Sequence, residues 1–226
     1  PLVADARAGL EALNAALTGW QAEAGWTEKA EVGKEAWLVD ADKATASTNA
    51  ELPSDAQVIG AVQRARENAT LVCAAGGLPG ELHKLWKARG PGSYHMEYGF
   101  STMGYEIAGG LGVKLARPDD DVVVMVGDGS YMMLNSEIAS SIMLGAKLTI
   151  VLLDNAGYGC INRLQMATGG ANFNNLLKDT NHVVLPGIDF AAHAASMGAV
   201  SRKVASIAEL ETALQETESV DRTVVI

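Results

Sequence analysis

From about residue 50 to the end of the chain, short apolar runs of strand length alternate with stretches in which apolar residues recur every three or four positions. The pattern predicts a helix over 55–67, a strand over 70–75, a glycine loop and a helix over 80–88. It continues with helix 104–116, strand 121–126, helix 132–144 and strand 147–153. Helix 188–197, strand 199–204, helix 206–217 and strand 222–226 complete it. Pro53-Ser54-Asp-Ala-Gln57 reads as a helix start, with Ser54 as N-cap and Gln57 reaching back, and Ser206-Ile-Ala-Glu209 supplies a second capping box. Strands alternating with helices at this spacing predict the α/β class, a three-layer parallel sheet with helices on both faces.

The first 50 residues read differently. Leu10, Leu13, Leu17 and Trp20 follow helical spacing and predict an amphipathic helix over about 2–20. Residues 21–52, with Trp26, Trp37 and a Ser/Thr/Asn cluster at 45–49, read as a linker with some helix, and a domain boundary is expected near 50. The chain starts at Pro1 and stops at Arg222-Thr-Val-Val-Ile226, inside a strand pattern, so a piece of a longer polypeptide is expected.

Composition narrows the possibilities. With 226 residues, 48% of them apolar and 19% charged, the chain can bury the core of one substantial domain. A net charge of −10, with Lys and Arg scattered singly, excludes a nucleic-acid partner. No apolar run approaches the ~18 residues of a membrane span. Cys73 and Cys160 read as buried, reduced thiols near strand ends, which fits a cytoplasmic location.

The chemistry concentrates at Val122-Val-Val-Met-Val-Gly-Asp-Gly-Ser130 and Leu152-Leu-Asp-Asn-Ala-Gly-Tyr158. Each is an apolar run ending in a Gly- and Asp/Asn-rich turn, as a buried parallel strand does at its carboxyl edge, where ligand crevices of such sheets lie. The N–H groups of Gly127, Gly129 and Ser130 can cradle a phosphate, yet the Asp128 carboxylate in the same turn would repel it. A hard divalent cation between them removes the conflict, because Mg²⁺ binds one or two protein carboxylates and completes its shell with phosphate and water. Asn155, 27 positions after Asp128, offers an amide oxygen, and Gly157 a carbonyl. A dinucleotide fingerprint fails here, since Met132 occupies the place of its third glycine. Gly76-Gly77-Leu78-Pro79 is either a plain strand-to-helix loop or a second anion-facing turn. The histidines show no paired zinc spacing, and Asp119-Asp-Asp121 reads as a solvated turn.

Gly127-Asp128-Gly129, then 25 residues, then Asn155, resembles the metal-diphosphate signature of thiamine diphosphate (ThDP) enzymes. The likeness extends through Cys73–Trp86, Glu97–Gly112 and Gly157-Tyr-Gly-Cys-Ile-Asn162, and so over essentially the whole chain. It implies the diphosphate-binding domain of that fold over residues 51–226, truncated at its C-terminus, with 1–50 as the tail of a central domain and a linker. ThDP and Mg²⁺ are the implied cofactors, with Asp128, Asn155 and Gly157 on the metal. Gly76, Gly77, Leu78, Ser101, Thr102, Met103, Gly127, Gly129, Ser130 and Tyr158 are implied on ThDP. Met103 would sit as an apolar wedge under the cofactor bend, and the Ser101 carbonyl would accept from the 4′-amino group. His95, in Tyr94-His-Met-Glu97, is a candidate proton carrier toward the substrate. The carboxylate that activates the aminopyrimidine belongs to a separate pyrimidine-binding domain, in a homodimer or homotetramer, and no glutamate of this chain takes that role. The implied reaction is hydrolytic C–C opening of a cyclic 1,2-dione in myo-inositol breakdown. An acetohydroxyacid synthase, a 2-oxoacid decarboxylase and a non-catalytic binding module remain as alternatives.

Overall fold

The computed structural model describes residues 3–226, and the chain divides into two compact units, one up to Asp42 and one from Lys43 to Ile226. In the first, α1 (Ala6–Ala16) is capped by Asp5, whose side chain accepts from the Ala8 N–H at 3.1 Å. It is shorter than expected, and residue 2 of the expected range lies outside the described residues. The apolar row Leu10, Leu13, Leu17 and Trp20 is exposed. Helix α2 (Trp26–Ala44) occupies nineteen residues where mostly linker was expected. Its Ala, Glu and Lys residues favour helix without marking one apolar face, so propensity rather than periodicity forms it.

The first element wholly within the second unit is α3 (Asp55–Ala65), closed by the expected capping box: Gln57 N–H donates to Ser54 Oγ at 3.3 Å and Ser54 N–H to Gln57 Oε1 at 2.9 Å. There follow β1 (Thr70–Cys73), α4 (Gly77–Leu85), β2 (Tyr94–Met96), α5 (Tyr105–Ala116) and β3 (Val122–Gly127). The next elements are α6 (Asp128–Met133), α7 (Glu137–Met143), β4 (Thr149–Leu153) and α8 (Gly159–Ala167). After a 3₁₀ turn at Leu177–Asp179, α9 (Phe190–Ser196), β5 (Val200–Ser201), α10 (Ile207–Glu216) and β6 (Val224–Val225) close the fold. Among the described residues, no helix is long and apolar enough to cross a membrane.

Three departures from the expected elements have physical causes. The expected helix 132–144 is two helices, broken at Leu134-Asn-Ser136, and the first begins inside the glycine turn at Asp128. Helix α4 likewise starts within its glycine loop, since Pro79 is tolerated in a first turn. Strand β2 pairs only with β1 at the sheet edge, and its three residues carry no alternation to detect.

Among the described residues the sheet has six strands, all parallel, in the order β2-β1-β3-β4-β6-β5. Val72, Val122, Val124, Val126, Ile150 and Val225 pack with α5, α6, α7 and α9 through Ile107, Leu111, Tyr131, Ile138 and Ala194. Leu71, Val123, Met125 and Val224 alternate to the other face, where α3 joins α4 and α10. Right-handed crossovers require this division. Connections through α5, α7 and α9 run one way along the sheet, and those through α4 and α10 run back. The chain therefore leaves β1 toward one face and β3 toward the other, and a crevice opens between their carboxyl ends.

Burial dominates the stability of this core. Ile150→Ala, at a fully buried position of a central strand, is expected to cost about 2–5 kcal/mol, and Ser54→Ala at the exposed cap about 1 kcal/mol. Urea denaturation of the two variants checks the ranking.

Candidate functional site

The loops after β1, β3 and β4 meet at that crevice with the segment before α5, around a cleft of 320 Å³. Helices α4, α6 and α8 begin on its wall with Gly76, Gly127 and Tyr158 at their N-caps, and none has a side-chain cap. Helices α3, α9 and α10, by contrast, are capped by Ser54, Asp189 and Ser206. Uncapped first turns present unpaired N–H groups and the positive end of the helix dipole, which suits an anion.

Asp128 lies among these donors and is only 6% exposed. Its Oδ2 accepts from the Gly157 N–H at 2.8 Å, and its buried Oδ1 has no hydrogen-bond partner. Burial raises its pKa and the charge of Asp154 adds to this, while the N–H groups of Gly157, Gly129 and Asn155 oppose the rise. A desolvated carboxylate with one bare oxygen is costly unless a cation meets it. The set of one carboxylate, the Asn155 amide and nearby carbonyls is the hard oxygen chemistry that Mg²⁺ takes. Among the described residues no cluster of three or more His, Cys, Asp or Glu forms a metal cage, so any cation here needs oxygens from its ligand and from water.

Glycines allow the walls to close. Gly157, at φ +141°, bridges antiparallel to Leu176, and a Cβ there would meet Asn175 O at 2.5 Å. The Tyr158 N–H donates to the same oxygen at 2.7 Å. A Cβ on Gly129 would lie 2.7 Å from the Tyr158 ring and 3.6 Å from Met103 Cε, so only glycine lets these two side chains converge on the Asp128 turn. The asparagine amide packs on Gly159, where a Cβ would stand 3.2 Å from Asn155 Nδ2.

Met103 is delivered by a strained segment. Ser101 has φ +51°, the left-handed region that costs a non-glycine residue. Glu97 brackets it, accepting from the Phe100 N–H at 3.0 Å and the Thr102 N–H at 2.6 Å. These bonds, that from Thr102 foremost, hold the Glu97 carboxyl below the usual glutamate range. Gly104 at φ +90° then turns the chain into α5. Two residues on, the carboxylate of Glu106 is 1% exposed. It accepts from Ser130 Oγ at 2.7 and 2.8 Å, from the Gly104 N–H at 3.0 Å and from the Ala75 N–H at 3.3 Å.

Of the residues expected at a site, Gly76, Gly77, Leu78, Ser101, Met103, Gly127, Asp128, Gly129, Ser130, Asn155, Gly157 and Tyr158 line the one cleft. Thr102 does not, its N–H being taken by Glu97. His95 is set apart: its Nε2 lies 3.0 Å from Gly92 O, and it lines a groove along α5 with Tyr105 and Arg117. Cys73 is buried as expected, and burial pushes its thiol pKa up. Cys160 is not buried; it stands half-exposed in the cleft wall, in the first turn of α8. The sequence reading missed Glu106, Asp55 and Arg163. Arg163 lies 3.9 Å from Asp55 and against Gly77, reached from a helix the apolar pattern did not reveal. The one signal for Glu106 was an acidic residue opening an otherwise apolar, glycine-rich helix.

Residues 74–226 match the family model of the thiamine pyrophosphate enzyme, C-terminal TPP binding domain. A 3D-(3,5/4)-trihydroxycyclohexane-1,2-dione hydrolase of Bacillus subtilis is 35% identical over 247 residues, covering 97% of this chain and 38% of its own length. A Bacillus cereus protein named hydrolase 2 of the same kind is 46% identical over 159 residues, covering 67% of this chain and 24% of its own. The chain thus spans well under half the length of these curated relatives. A solved structure of a Rhodococcus jostii RHA1 thiamine diphosphate-dependent 4-hydroxybenzoylformate decarboxylase shares the fold, with a TM-score of 0.70 at 22% identity over 80% of this chain and 33% of that one.

The depressed pKa of Glu97 has a definite sign. Because the fold stabilises the charged form, the 97–104 turn is held throughout the pH range above the ordinary glutamate pKa. That support is lost as pH falls through the lowered value. NMR titration should leave the Phe100 and Thr102 amide shifts unmoved through the ordinary glutamate range and move both below it. A midpoint at or above the ordinary range would contradict the bracketing role.

Proposed function

The chain belongs to the thiamine pyrophosphate enzyme family, and from that premise we propose that residues 51–226 form the diphosphate and metal half of a ThDP- and Mg²⁺-dependent C–C hydrolase. The observation that carries the metal assignment is the bare, buried Oδ1 of Asp128 among uncapped helix N-termini. Asp128, the Asn155 amide oxygen and the Gly157 carbonyl would hold the cation. The N–H groups of Gly76, Gly77, Leu78, Gly127, Gly129 and Ser130 would face the diphosphate. Tyr158 and Met103 would pack along the cofactor, with Ser101 and Thr102 at its aminopyrimidine end. When bound, ThDP supplies a nucleophilic carbon able to break a bond beside a carbonyl. The chain's own part is to bind, orient and exclude water. Met103 is well placed for orientation, because its strained segment is tied down at both ends by Glu97 and Gly104.

The substrate proposed is 3D-(3,5/4)-trihydroxycyclohexane-1,2-dione, opened to 5-deoxy-glucuronate in myo-inositol breakdown. Support comes from two relatives so named, one of them similar over 97% of this chain. A pyrimidine-binding domain would complete the site, in a cytoplasmic homodimer or homotetramer. Phe100, Met133, Ile161 and Leu164, apolar and exposed, are suited to meet it. Product analysis of the complete enzyme with the cyclic dione against pyruvate tests the substrate. Turnover of pyruvate alone would replace this reading with a decarboxylase or synthase.

Two measurements test the site. Asp128→Ala should weaken Mg²⁺-dependent ThDP binding by at least about 100-fold, and Asn155→Ala by about tenfold, a neutral ligand holding the cation less strongly. Calorimetry giving unchanged affinity for Asp128→Ala would remove the metal assignment. The 226-residue chain with Mg²⁺ should not accelerate exchange of the thiazolium C2 proton with deuterium over free ThDP. Glu106 is committed to donors of this chain, Asp128 to the Gly157 N–H and the proposed cation, and Glu97 to its own turn. Acceleration would mean that a carboxylate of this chain activates the cofactor.

A further inference from the structure

We propose that Glu106 is a positioning residue that keeps three cofactor-facing segments in register, an inference that rests on the cofactor site described above. A carboxylate 1% exposed is expensive to bury without a cation, and among the described residues no Lys, Arg or His forms an ion pair with it. Its compensation comes wholly from donors, and these come from three different segments of the chain. Ala75 directly precedes Gly76-Gly77-Leu78 at the start of α4. Gly104 directly follows Met103. Ser130 closes the Gly127-Asp128-Gly129 turn. One side chain thus ties together the two diphosphate-facing turns and the segment carrying the apolar wedge, each at a residue adjoining the part that would touch the cofactor.

The hydroxyl of Ser130 is the hub. It donates to Glu106 and accepts from the Gly104 N–H at 2.7 Å. With its proton spent inward, Ser130 offers a diphosphate its backbone N–H alone. Every partner of Glu106 is a donor, so the site requires a group that only accepts. Glutamine fills the same volume but brings an NH₂ that must face one of those donors, and one of the three ties is then lost.

The consequence depends on how much of the site a ligand spans. Inorganic diphosphate with Mg²⁺ engages the two glycine turns. ThDP with Mg²⁺ also needs the 101–103 segment at a fixed distance from them. Calorimetry with the 226-residue chain compares both ligands for the unsubstituted protein, Glu106→Gln, Ser130→Ala and the double variant, alongside thermal midpoints. Glu106→Gln is expected to weaken ThDP binding by about tenfold or more, with a loss of under about threefold for inorganic diphosphate. Ser130→Ala should reproduce most of that loss, and the double variant should be little worse than Glu106→Gln, as for two groups acting through one link. Equal losses for both ligands, additive losses in the double variant, or a lowered thermal midpoint with unchanged ThDP affinity would each overturn the positioning role. If Glu106→Gln does not fold, Ser130→Ala alone carries the comparison of ligands. If the unsubstituted chain binds neither ligand, the cofactor reading falls and this inference with it; if it binds both and the variants match it, only the role of Glu106 falls.

Discussion

Helix α4 leaves the end of β1 toward one face of the sheet, while α6 leaves the end of β3 toward the other, and nothing of the backbone can fill the space between them. Right-handed crossovers impose this wherever the direction of strand addition reverses. The rest of the cleft follows from that constraint. Helix N-termini on either side of the reversal converge on one space. Their N–H groups would be a liability if buried without partners, and here they line a cavity in which a phosphate can satisfy them.

Two buried carboxylates occupy this region, and their surroundings separate their roles. Glu106 is saturated with donors from the protein and behaves as part of the scaffold. Asp128 has one oxygen satisfied by the Gly157 N–H and one bare. The same chemical group is structural in one case and poised for a ligand in the other, decided by whether the fold leaves one of its oxygens without a hydrogen-bond partner. Of the glycines that admit this crowding, Gly129 beneath Tyr158 and Met103 is required by contact distance, and Gly157 against Asn175 and Leu176 by contact distance and by its positive φ.

Much of this was visible in the chain. The run Val122–Val126 ending in Gly127-Asp128-Gly129 announces a doubly buried strand and its turn, because burial on both faces selects an unbroken apolar run. Asn155 and Gly157 follow at the end of the next such strand. Capping residues marked α3 and α10 by local hydrogen bonding. Segments shaped by propensity or by neighbours were hidden: α2 has no apolar face to read, β2 is a three-residue edge strand, and α8 has no buried residue to set a period.

His95 shows why proximity in sequence misleads at a sheet edge. It lies eight positions before Met103, yet β2 turns it to Gly92 and to a groove along α5. Glu106 shows the converse, since nothing local to it names Ala75 or Ser130 as partners. The sequence by itself determined the alternating elements, the parallel sheet and the turn that concentrates glycine, aspartate and asparagine, because periodicity and turn chemistry act over a few residues. Only the tertiary structure decided which oxygen of Asp128 stays bare, which face His95 takes and that Glu106 joins three segments, because those depend on groups brought together by crossovers from distant parts of the chain.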